Sequence, residues 1–221
     1  MRLAAVCARA TIFVAALICS PAHADQGGTA LDRYLNGLTS LHTAFTQTVT
    51  DPNGKQVESG SGTLLVQRPG RFRWDYVPRS KNADSQPGQL LVADGRNLWF
   101  YDRELAQVTV KPVAAALSAT PVMLLSGSST QLRDSFDISS DDSHDGMDWV
   151  RVKPHSDEAD FSGAELGFAR GQLARMVIHD RLGQTVQLDF SHAERNARVD
   201  PSELRFKPPA GVDVIGTAQS D

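Results

Sequence analysis

The sequence predicts a mainly β fold with short helices, and three observations carry that expectation. Apolar residues recur with a period of two along most of the chain, glycine-containing turns separate the runs, and helical spacing is rare. The segment Arg71-Phe72-Arg73-Trp74-Asp75-Tyr76 alternates charge with an aromatic at every step. Val108 and Val110, Phe136 and Ile138, and Val150 and Val152 repeat the alternation. So do Ala164, Leu166 and Phe168, and then Val186, Leu188 and Phe190. Alternation of this kind marks a sheet with one apolar and one wet face. Asn53-Gly54, Asp94-Gly95, Arg170-Gly171 and Leu182-Gly183 punctuate the runs as turns, which predicts successive antiparallel hairpins without βαβ units.

Taken in order, the chain shows one helical stretch near 29–38, with Leu31, Leu35 and Leu38 along one face, ended by Asn36-Gly37 and Thr39-Ser40. Two shorter helical pieces are expected at Val113 to Ser118 and Pro121 to Leu125, Pro121 suiting a first helical position. Arg79 to Gly88, Ser139 to Gly146 and Pro154 to Asp160 read as polar loops. No repeat and no second domain is visible. A large sheet must cover its apolar face, yet the helices are few. Either the sheet folds over into a sandwich or closed barrel, or it curls around a hollow that the helices lid. The pattern alone leaves both open.

The first 24 residues read as an export signal, expected to be cleaved. Arg2 and Arg9 are positive, Ala10 to Ile18 is apolar but for Thr11, and Ala22-His23-Ala24 supplies a small-x-small cleavage pattern. The apolar run is short of the roughly 20 residues that a membrane span requires. Val6 before Cys7 and Ile18 before Cys19 are not the small residues that precede a lipidated cysteine. The mature chain is therefore expected to be residues 25–221, one soluble domain in the periplasm, without cysteine, and monomeric. Losing Arg2 and Arg9 moves the formal charge from −4 to −6, which argues against nucleic acid as a partner.

Catalysis finds little support. The sequence holds no G-x-S-x-G elbow, S-x-x-K, H-E-x-x-H or phosphate-binding loop. His42, His144, His155, His179 and His192 sit among polar residues without metal-ligand spacing. Asp141, Asp142 and Asp145 with Gly146 lack the spacing of a calcium loop and read as a hairpin tip. No cofactor is expected. Arg68 is more informative. It shares the parity of Leu64 and Val66, while Pro69 and Gly70 should end or kink the strand. It is either an exposed strand-end arginine or a buried one that needs acceptors for its fork of donors.

Several motifs resemble the periplasmic lipoprotein carriers of the LolA family. These are Phe45-Thr46-Gln47, Gly60, Gly62, Arg68-Pro69-Gly70-Arg71-Phe72-Arg73-Trp74 and Asp94-Gly95-Arg96-Asn97-Leu98-Trp99-Phe100-Tyr101-Asp102. Gln107-Val108-Thr109-Val110, Thr120-Pro121-Val122-Met123-Leu124-Leu125, Asp180-Arg181-Leu182-Gly183-Gln184-Thr185, Phe206 and Pro208 to Ile215 continue the resemblance in order. It implies a curled antiparallel sheet, an unclosed barrel around an apolar cavity lidded by helices. In that family the cavity takes the acyl chains of outer-membrane lipoproteins. Cargo comes from an ABC transporter complex of the inner membrane and passes to a receptor at the outer membrane.

The resemblance also makes Arg68 a lid latch on carbonyls near Leu35 and Leu125, and Phe72 a residue of cargo handling. The expected cavity or its rim comprises Leu64, Val66, Phe72, Trp74, Tyr76, Leu38, Met123 and Leu124. On the carrier expectation Phe72 borders an open cavity that water reaches in the empty protein; the alternative is that it is ordinary sandwich core. The stretch Arg79 to Pro87 is longer than the family's usual link there. Burying a methylene is worth about 0.8 kcal/mol, so a chain of about 15 contributes roughly 12 kcal/mol, which is why free acylated cargo would need an escort through water. Three rivals remain. An anchored receptor would need a lipidated cysteine at its mature start, a sensor would carry a second domain, and a lipid hydrolase would show activity on esters. Amino-terminal sequencing of the exported protein should read Asp25-Gln26-Gly27-Gly28. A retained or lipid-modified amino terminus would remove the soluble-carrier expectation.

Overall fold

The computed structural model describes residues 29–79, 88–113, 122–127, 129–157 and 159–219. Twelve strands form one sheet in the order β12-β6-β5-β4-β3-β2-β1-β11-β10-β9-β8-β7. Strands β1 (Ser40–Thr50), β2 (Gln56–Gln67), β3 (Arg71–Pro78), β4 (Gln89–Asp94), β5 (Asn97–Asp102) and β6 (Gln107–Pro112) run as one antiparallel meander. Strands β7 (Phe136–Ser140), β8 (Asp148–Pro154), β9 (Phe161–Ala169), β10 (Gln172–Asp180) and β11 (Thr185–Arg195) form a second. Pairing of β1 with β11 joins them, and β12 (Asp213–Ile215) adds a parallel edge on β6. β7 and β12 lie at opposite ends of the order, so the curled sheet stays open.

The turn chemistry acts where the sequence places it. Gly54, Gly95, Gly171 and Gly183 all take positive φ, a conformation that costs glycine little. β2 ends at Gln67 and β3 starts at Arg71, so Pro69 and Gly70 do stop the strand. Helices are short, as expected: α1 (Ala30–Leu35), α2 (Met123–Ser126) and α3 (Ser129–Ser135). α1 ends sooner than the leucine spacing predicts, because Asn36 is extended and Gly37 has φ +68°. The helix expected from Val113 to Ser118 lies outside the described residues beyond Val113, as do positions 80–87 of the long loop. α3 was not anticipated. In Ser-Thr-Gln-Leu-Arg-Asp-Ser a single apolar residue, Leu132, gives no periodicity to read.

The principal apolar cluster lies between the concave face and α1 and α2. It joins Leu31, Tyr34 and Leu35 to Phe45, Leu64 and Phe72, and continues through Val122, Leu124, Phe161 and Phe168. A second, smaller cluster covers the opposite face of β4–β6, where Leu90, Val92, Trp99, Val108 and Val110 meet Phe206 and Val212 of the carboxy-terminal segment. The simple division into one apolar and one wet face therefore fails at β4–β6. There the returning chain buries the second face, and Asn97 holds it by exchanging hydrogen bonds with the backbone of Gln219 (2.8 and 3.1 Å).

On the concave side, aromatic rings lie across β1–β3. Phe45 stacks on Trp74 at 3.9 Å between centroids and lies 6.4 Å from Tyr76. Gly60 and Gly62 make room for them. A Cβ at Gly62 would stand 2.5 Å from Phe45 Cζ and 2.1 Å from the Asp75 carbonyl oxygen, and one at Gly60 would stand 2.5 Å from the Tyr76 ring. Gly62→Ala should therefore destabilise the protein by about 1–3 kcal/mol, because neither the ring stack nor the β3 backbone can withdraw cheaply. Thermal melting by circular dichroism reads this directly, and a mutant that melts like the wild type would contradict the packing described.

Candidate functional site

The β2–β3 turn reaches under both lid segments. The Arg68–Pro69 peptide is cis, and the backbone N–H groups of Arg68 and Gly70 donate to the carbonyls of Thr39 and Ser126 (2.9 Å each). The Arg68 side chain, on the apolar side as its parity predicted, spreads its fork between the two segments. Nη1 donates to the carbonyls of Leu35 (2.7 Å) and Leu38 (3.2 Å), and Nη2 donates to that of Gly127 (2.7 Å). All three acceptors are neutral. Burial accordingly lowers the guanidinium pKa from its ordinary value.

This arrangement corrects one expectation. Gly127 rather than Leu125 is the acceptor beyond α2. Leu125 lies within the helix with its side chain fully buried, whereas Gly127 is the extended C-cap, where carbonyls lack intrahelical partners. Leu35 and Leu38 both accept through their carbonyls. Backbone acceptors leave no trace in side-chain identity, so sequence reasoning had no signal for Gly127.

Further polar contacts hold α1. Asp32 closes a capping box with Thr29, and Arg133 of α3 donates to its carboxylate at 2.6 Å. Burial would raise the Asp32 pKa, but the Thr29 bonds and the Arg133 guanidinium outweigh it and hold the carboxylate below its ordinary value. At the end of β11, Arg195 Nη2 donates to the Tyr34 carbonyl (2.9 Å), and its guanidinium carbon lies 4.5 Å from the Tyr34 ring centroid. Asn196 accepts from the Thr39 N–H and donates to the Gly37 carbonyl. These contacts come from residues about 160 positions away in sequence, and none was anticipated.

Leu38, Leu64, Val66, Phe72, Trp74, Tyr76, Met123 and Leu124 all belong to one continuous apolar cluster. Phe72 needs a second correction. It is fully buried, at 0% exposure, and borders no water-filled rim in this closed state, because the lid segments cover the concave face. A cleft of about 200 Å³ lies beside the lid, lined by Met123, Gly127, Leu132 and Phe136 among others. A larger one, about 680 Å³, is on the other side of the sheet, between the carboxy-terminal segment and the β4–β5 turn, and its lining is mostly polar. The apolar cluster under the lid segments, not the larger cleft, has the chemistry for an apolar guest.

Residues 36–207 match the family described as outer membrane lipoprotein carrier protein LolA. The chain belongs to the LolA family. Relatives named outer-membrane lipoprotein carrier protein agree over nearly the whole length. The one from Methylibium petroleiphilum is 38% identical over 209 residues, covering 94% of this chain and 98% of that one. Those from Bordetella pertussis and Dechloromonas aromatica are each 37% identical, over 209 and 186 residues, covering 94% and 84% of this chain and 95% and 86% of theirs. A solved LolA superfamily protein from Nitrosomonas europaea superposes with a TM-score of 0.45 at 12% identity, over 80% of this chain and 96% of that one.

Within this LolA-family chain, Phe72→Glu would put a carboxylate where no water reaches in the closed state. The cost is several kcal/mol unless the group takes up a proton or the lid opens. The expected result at neutral pH is a clear drop in melting temperature together with increased binding of a hydrophobic dye, and both changes should diminish in acid. Unchanged melting and dye binding would contradict the burial of Phe72.

Proposed function

We propose that this chain is a periplasmic carrier that takes acylated lipoproteins released from the inner membrane and delivers them to a receptor at the outer membrane. On this reading it is exported, processed after Ala24 and works by binding rather than catalysis. It receives cargo from an ABC transporter complex and gives it up to the receptor.

The observation that carries the proposal is the Arg68 fork. A single half-buried guanidinium joins the sheet to both lid segments over an apolar face, and its acceptors are backbone carbonyls. Each charge-assisted bond is worth roughly 1.5–3 kcal/mol. Acyl chains in place of the lid would restore the burial that the lid provides, so opening requires breaking a few polar bonds instead of dismantling a core. Such a lid can close in the empty protein and yield to cargo. The relatives' shared name agrees with this use of the site.

Arg68→Leu tests it. The substitution removes the bonds and adds apolar contact, so the open, loaded state loses its competitor. The mutant should accept lipoprotein and retain it, with delivery to the receptor slowed by on the order of tenfold or more. Purified transporter vesicles, carrier and receptor provide the assay, and delivery at the wild-type rate would reject the latch. Mass spectrometry of wild-type protein from the periplasm should find co-purifying acylated proteins, and their consistent absence would reject the carrier reading.

A further inference from the structure

Tyr34 presents an unmet hydrogen bond on the underside of the lid. It occupies the buried face of α1 with Leu31 and Leu35, is 2% exposed, and belongs to the apolar cluster shared with the concave face. The ring is fixed from two sides, by Phe168 of β9 at 5.4 Å between centroids and by the Arg195 guanidinium at 4.5 Å. The hydroxyl at its tip is fully enclosed, yet it has no hydrogen-bond partner among the described residues. A buried orphan donor is rare, because it forfeits its bond to water and gains nothing in return. Phenylalanine would fill the same apolar space without that penalty. Burial pushes the Tyr34 pKa up to about 12, so the hydroxyl keeps its proton and remains a donor.

We infer that the Tyr34 hydroxyl is a recognition group for the acyl cargo, donating to an ester or amide carbonyl of the chain that occupies the space beneath α1. The inference rests on the carrier reading and deepens it. An alkyl chain offers nothing to a hydroxyl, but an acyl group carries a strong acceptor and no donor at its head, the complement of a phenol. In the closed, empty form the unmet bond disfavours closure. In the loaded form it is satisfied. One group thus biases the lid toward opening and separates acyl from plain alkyl guests. Arg195 acts as the positioning residue, holding the ring and the α1 backbone together.

The test uses Tyr34→Phe in the full processed chain. Dipalmitoylglycerol and its dihexadecyl ether, which differ in the ester carbonyls, are each made to displace a fluorescent fatty-acyl probe. The wild type should bind the ester about three- to tenfold more tightly than the ether. The mutant should lose that preference while binding the ether as the wild type does. The empty mutant should also melt higher, by about 2–4 °C, since it no longer buries an unbonded hydroxyl. Equal wild-type binding of both lipids, a preference that survives in the mutant, or an empty mutant that melts no higher would each overturn the role of Tyr34 and leave the carrier reading standing. Failure of the wild type to bind either lipid would overturn both.

Discussion

One guanidinium holds the arrangement together. Arg68 sits at the end of β2, where its alkyl stem shares the apolar side of the sheet and its fork reaches carbonyls on both lid segments. A planar fork of fixed donors can bridge two backbones in a way that the point charge of lysine cannot. The turn that presents it is equally determined. Pro69 and Gly70 end one strand and begin the next within three residues, and the N–H groups on either side of Pro69 are bound to Thr39 and Ser126. Anchor and lid thus meet at one corner of the open sheet.

The lid combines apolar contact with bonds that are individually breakable. Leu31, Leu35, Met123 and Leu124 bury themselves against the concave face, but any apolar guest could replace that burial. A polar set adds to it: Arg68 to three carbonyls, Arg133 to Asp32, and Arg195 to the Tyr34 carbonyl. Helices of four to seven residues have little stability of their own, so their hold depends on such contacts. The ring stack of Phe45, Trp74 and Tyr76 over Gly60 and Gly62 belongs instead to the permanent sheet. The second cluster beneath the carboxy-terminal segment likewise stiffens β4–β6 from outside.

Side chains with strong parity were legible in the sequence. Phe72, Trp74 and Tyr76 alternate with charges, and Arg68 falls in step with Leu64 and Val66, so the face they share follows from period two alone. That the sheet stays open was legible only through family resemblance, since alternation cannot distinguish a sandwich from a curled sheet. The second apolar face of β4–β6 did leave a signal, the unbroken Leu90-Leu91-Val92-Ala93, because a strand covered on both sides loses its alternation. Gly127 as an acceptor, Arg195 as a tie on α1 and Asn196 as a tie on the segment that follows it were not legible. They act through backbone groups that lie far from their partners in sequence. Tyr34 was hidden by the leucines that marked its helix, and its significance lies in a missing bond that no motif encodes.

A lid held by polar bonds over a replaceable apolar contact must be the least protected part of the covered face. Hydrogen exchange, read by mass spectrometry at residues 30–38 and 123–127 in the empty and the lipoprotein-loaded protein, tests that most directly. The account predicts faster exchange there than in β1–β3 when the protein is empty, and a further increase on loading as the Arg68 bonds open. Protection of these segments equal to that of the sheet, unchanged by cargo, would contradict a releasable lid and the carrier mechanism built on it.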